Sequence, residues 1–107
     1  MNWIHNLKML SFDSGIAADQ LWFQQVSNNL EVSIIGTGDK FTISNWYSGN
    51  QYHVEQFQTS GGQSLLDSQV QNLVNAMAAF SPPAMGESHL SAAYASQLNP
   101  VIAANWQ

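Results

Sequence analysis

Leu30-Glu31-Val32-Ser33-Ile34, then Gly36-Thr37-Gly38-Asp39, then Phe41-Thr42-Ile43-Ser44, decides the fold class of this 107-residue chain. Leu30, Val32 and Ile34 alternate with Glu31 and Ser33, the period-two pattern that puts one face of a strand in a core. The Gly-Thr-Gly-Asp cluster is a turn signal, and Phe41 and Ile43 resume the alternation beyond it. Upstream, Ser27-Asn28-Asn29 joins this unit to Leu21-Trp22-Phe23, with Asn suited to the left-handed backbone of a tight hairpin. Downstream, Ser48-Gly49-Asn50 turns the chain after Asn45-Trp46-Tyr47. Tyr52 and Val54 then share one parity and Phe57 and Thr59 the other, which predicts a bulge near Glu55-Gln56. Ser60-Gly61-Gly62 is expected to end the β region. Before Leu21, Leu7 to Phe12 reads as a short strand closed by Asp13-Ser14-Gly15, and Ile16 to Gln20 as one helical turn.

The period changes in the second half. Leu66, Val70, Leu73, Val74 and Met77 recur at helical spacing, with Phe80 near the same stripe. Asp67 is the expected N-cap and Pro82-Pro83 the stop. Ser81 to Ser88 reads as a loop, and Ser91 to Leu98 as a second helix. Asn99-Pro100 then reads as an N-cap and first-turn pair that restarts a short helix through Val101, Ile102 and Ala104. The expectation is an α+β fold with an antiparallel or solenoid-like β half of about five short strands over 7–62. Helices follow over 65–107, all in a single domain.

Composition narrows function. Hydrophobic residues make up 45% of the chain, enough for a core at this length without disulfides. Charged residues are only 8%, so the surface is built mainly from Asn, Gln, Ser and Thr. Lys8 and Lys40 are the only fixed cations against a net charge of -5. Nucleic-acid binding needs clustered cations to displace counterions and is excluded on that ground. An anionic membrane surface is disfavoured for the same reason. Without cysteine there is neither thiol chemistry nor a Cys-based zinc site. The N-terminal residues lack the basic-then-apolar order of a secretory signal, and no run approaches the roughly 20 apolar residues of a membrane span.

No catalytic pattern emerges. His5, His53 and His89 have no partner at metal-ligand spacing and read as surface or edge residues. No GxSxG elbow occurs. Glu31 and Glu55 are the carboxylates that could be imagined as a glycosidase pair, but they read as solvated strand residues. The calcium-binding nonapeptide G-G-x-G-x-D-x-U-x has no copy. The expectation is a non-enzymatic chain with no cofactor of its own. The aromatics Trp22, Phe23, Trp46, Tyr47, Tyr52 and Phe57 are the structural or interaction candidates. They serve either as core rings paired across strands or as an exposed face that stacks on sugars.

The ordered set of motifs from Leu21 to Thr59 resembles the haemolysin-type calcium-binding protein-related domain. The resemblance is carried by Leu21-Trp22-Phe23, Asn29 to Thr37, Asp39 to Tyr47, and the continuation Gly49 to Gly62. Leu10-Ser11-Phe12 with Gly15-Ile16 fits as the entry. The tail, from Ser68-Gln69-Val70 to Asn105-Trp106-Gln107, is similar to the C-termini of RTX proteins. The resemblance implies a structural or capping module at the end of a bacterial protein exported by type I secretion. Its implied partners are adjacent RTX repeats or the parent protein and the type I secretion machinery. An export signal is implied within 65–107, the implied address is extracellular, and calcium is supplied through the parent protein's repeats. Ser27-Asn28-Asn29-Leu30 and Gly38 depart from the family's Gly-Asn-Asp-Leu and from its second acid, which removes turn groups that could contact calcium. The alternatives are an aromatic-faced binding module for glycans or a cell surface, and a weak calcium-binding domain.

Overall fold

The computed structural model describes residues 8–83, 87 and 89–107. It is α+β, with two three-stranded sheets and two helices. Strands β2 (Leu21–Val26), β3 (Asn29–Ile34) and β4 (Lys40–Ile43) form an antiparallel meander in chain order. Its first turn rests on Ser27, whose φ of 55° is the left-handed geometry a two-residue hairpin requires. Gly36, at φ 92°, opens the second turn. Thr37 Oγ1 closes it by donating to the Ile34 carbonyl and accepting the Asp39 N–H.

The second sheet is assembled from distant pieces. Strand β1 (Met9–Ser11) pairs in parallel with β5 (Gln56–Gln58), which pairs in antiparallel fashion with β6 (Ser64–Leu66). The whole meander is therefore a connection between β1 and β5. Leu10, Phe57 and Leu65 share one row of this sheet and face the core, while Met9, Gln56 and Leu66 form the adjacent outward row.

Helix α1 (Asp67–Met77) follows β6 without a loop and buries Val70, Leu73, Val74 and Met77. Helix α2 (Ala92–Asn105) starts at Ser91, whose hydroxyl accepts the Tyr94 N–H. The two helices are joined by Asn105, a buried amide that accepts from Asn72 Nδ2 at 2.8 Å and donates to the Val101 carbonyl at 2.8 Å. Core residues from both sheets and both helices form one cluster.

Several expectations are corrected. The β half is a pair of discrete sheets with a parallel strand pair, and no solenoid forms among the described residues. Tyr52 belongs to the second of two 3-10 turns, Trp46–Ser48 and Asn50–Tyr52, so no strand runs through 52–54 and no bulge is needed. The β region does not end at Gly62, because φ 95° there folds the chain back into β6. The N-cap position of α1 is Leu66, with Asp67 in the first turn. Gln69 Oε1 reaches back to the Leu66 N–H in place of a capping side chain. That helix ends at Met77, before the prolines. Pro100 lies inside α2 rather than restarting it. Leu7 and His5 lie outside the described residues, as does part of the Ser81–Ser88 loop.

Candidate functional site

The six aromatic candidates separate by depth. Trp22, Phe23, Trp46 and Phe57 are buried, Tyr47 is half-buried, and Tyr52 is 44% exposed. Alternation sends Trp22 and Phe23 to opposite faces of β2, and both faces are covered. Trp22 packs on Tyr94 of α2, ring centroids 6.0 Å apart. Phe23 meets Phe57 edge-on at 5.7 Å and Trp106 at 6.5 Å. Edge-to-face contact sets the positive ring edge against the negative face of its neighbour, the favoured aromatic geometry. Trp46, in the first 3-10 turn, also packs on Phe57, ring centroids 6.1 Å apart.

Chemistry-bearing groups converge at one place, between the paired 3-10 turns and the start of α1. The His53 imidazole lies on the Trp46 indole, centroids 3.9 Å apart and planes within 8°. Its Nε2 is 2.9 Å from the Trp46 carbonyl, and its Nδ1 is 3.1 Å from Asp67 Oδ2. The segment is positioned by its turns. Asn45 takes a left-handed conformation at φ 63°, and its N–H is held by Asn29 Oδ1 at 2.9 Å. The Asn28 side-chain amide bonds Ser48 Oγ, while the Asp67 N–H is anchored on the Glu55 carbonyl at 3.0 Å.

A His-Asp pair invites a catalytic reading, and its geometry answers it. A carbonyl oxygen only accepts, so Nε2 carries a proton committed to Trp46. The other ring nitrogen is committed to Asp67. Neither nitrogen faces a hydroxyl nucleophile, as the base of a Ser-His-Asp arrangement must. The arrangement clasps the turns to the helix. The sequence motifs missed it because its partners lie 7 and 14 residues away, with no recognised spacing.

Tyr47, beside this clasp, has its hydroxyl sealed from solvent without a hydrogen-bond partner among the described residues. Burial pushes its phenol above the ordinary tyrosine pKa. Glu31 pairs with Lys40 at 3.7 Å, and Glu55 Oε1 accepts the Lys8 N–H. These two carboxylates are thus engaged with the chain itself. A hollow of about 460 Å³ between β2 and α1 is lined by neutral side chains, among them Gln24, Gln25, Gln71 and Asn75.

Calcium takes about six to eight oxygens around one point. Among the described residues no three His, Asp or Glu side chains gather where they could hold a metal. Asp67 and Glu31 already have cationic or hydrogen-bonding partners. No helix of the described residues is long and apolar enough to cross a membrane.

Two three-stranded sheets and two helices, with His53 linking the paired 3-10 turns to the start of α1, define a small α+β module. Residues 29–69 match the family model of the haemolysin-type calcium binding protein related domain. The matched stretch runs from the first residue of β3 into the first turn of α1, so Trp46, His53 and Asp67 all fall within it. A domain of this family points to an RTX-related protein.

Proposed function

We propose that this chain is a non-enzymatic structural module at the C-terminus of an RTX-type exported bacterial protein, where it caps calcium-binding repeats and supports their folding and export. The observation that carries this reading is the family match over a stretch whose conspicuous polar groups are spent on internal clasping. Its partners on this reading are the adjacent repeats and the type I export machinery, and its address is extracellular. On this reading calcium belongs to the repeats. The burial of Trp22, Phe23, Trp46 and Phe57 favours a scaffold over a ring-faced sugar site, which needs ring faces in solvent. Placing the chain behind calcium-binding repeats and following their calcium-induced folding tests the proposal. Repeats that gain stability from the module support it, and repeats that fold no better than bare ones refute it.

A further inference from the structure

A sheet edge is a row of N–H and C=O groups open to another strand. The two sheets have four such edges, and ladder alternation tells which groups point outward. In β6 these belong to Ser64 and Leu66. Ser64 exchanges both backbone bonds with Gln107, 2.9 Å each way, and the Leu66 N–H goes to Gln69 Oε1 at 3.2 Å. In β2 the outward N–H of Leu21 is taken by the Ala18 carbonyl and that of Phe23 by Met77 Sδ at 3.2 Å. Along β4 the outward set includes Lys40, whose side chain is 61% exposed, and a charge on an edge strand opposes pairing.

Strand β1 carries none of these devices. The Lys8 carbonyl accepts the Gln56 N–H, and the Phe12 N–H donates to the Gln58 carbonyl, so even-numbered residues bond inward. Met9 and Ser11 point their backbone groups away from β5, and those groups have no backbone partner among the described residues. Both side chains are uncharged and exposed. The existing β1–β5 pair is parallel, the strand sense of a parallel β-solenoid, so a further parallel strand continues the sheet without a change of direction. Residues 1–7 join the described fold at Lys8, next to this edge, so a solenoid carried on that side arrives beside it.

We infer that the Met9–Ser11 edge is the docking surface, and that it takes the end strand of a neighbouring β-solenoid by main-chain pairing. This rests on the capping reading above and specifies where the cap makes contact. Amide hydrogen exchange on the 107-residue chain and on its calcium-loaded fusion to repeats tests it. The Met9 and Ser11 amides exchange freely in the chain alone and slow by at least about tenfold in the fusion, whereas those of Lys40 and Thr42 do not change. Ser11→Pro deletes one outward N–H, and Met9→Lys adds a charge to the edge. Each abolishes stabilisation of the repeats while the remaining sheet amides of the isolated variant keep their protection. Protection at β4 instead of β1, or full stabilisation of the repeats by both folded variants, overturns the edge assignment and leaves capping intact. A wild-type fusion that does not stabilise the repeats removes the capping reading, and this inference with it.

Discussion

His53 lies flat against Trp46, 3.9 Å between ring centroids, and reaches from the same position to Asp67 at the start of α1. One side chain thereby couples a turn that has no sheet hydrogen bonds of its own to the helix that covers the core. His53→Ala removes the stack and strands two acceptors, at an expected cost of about 2 kcal/mol in urea unfolding. His53→Phe keeps the stacked ring and recovers part of that loss. Equal stability of the alanine variant and the parent chain would show that the clasp holds nothing.

Tyr47→Phe removes a hydroxyl that is sealed without a partner. Stability is expected to hold or rise, by up to about 1 kcal/mol, because no desolvated polar group remains unpaired. The alkaline limb changes too. Burial raises the folded-state pKa of Tyr47, so above its ordinary value of 10.0 the unfolded chain gives up its proton first. The unfolded state then binds fewer protons, and stability falls as pH rises through that window. The phenylalanine variant lacks this contribution. Urea titrations at pH 8 and pH 11 measure it, and identical alkaline losses in the two proteins would contradict it.

Met77→Leu conserves volume, and such exchanges commonly cost less than about 1.5 kcal/mol. Here the sulfur also accepts the Phe23 N–H in a buried setting. The leucine variant is expected to lose about 1–2 kcal/mol, with the Phe23 amide becoming the fastest-exchanging of the buried β2 amides. Selenomethionine keeps the acceptor and should leave stability unchanged.

Pro100→Ala restores a donor to α2, since proline offers none to the Ser96 carbonyl. The helical gain, up to about 3 kcal/mol, is offset by the extra freedom of the unfolded chain. A net gain of about 1–2 kcal/mol is expected from thermal melting. A drop in melting temperature would mean that the proline shapes the α2 packing.

The isolated chain should melt at the same temperature in millimolar calcium and in chelator, because a ligand stabilises only by binding the folded state. An upward shift of several degrees with calcium would place a binding site in the module itself.

The meander was readable in the sequence because each strand signals itself: Leu30, Val32 and Phe41 alternate, and Ser27 and Gly36 sit where the backbone must turn. The pairing of the second sheet was not: Leu7 to Phe12 reads as a strand, but the partner of Met9 lies 47 residues away and no local signal names it. Tyr52 and Val54 imitated a strand because alternate spacing over three residues is equally compatible with a 3-10 turn. Pro100 misled because a proline inside a helix is tolerated where the abandoned carbonyl reaches water, and both Ser96 and Pro100 are exposed. Four of the six aromatic candidates proved to be core rings, whereas the His53 cluster had no motif to announce it.

The reciprocal bonds between Gln107 and Ser64 also impose an order in time. The second sheet gains its outermost pairing, and Phe23 its Trp106 cover, only after residues 106 and 107 are free to fold back. A chain emerging from a ribosome or a narrow conduit with its N-terminus first cannot complete this domain until Gln107 has left. Up to that moment the meander can form by local contacts, but β1 and β5 remain joined by a long open loop whose closure is entropically unfavourable. The closing pair thus makes completion of the fold wait for Gln107.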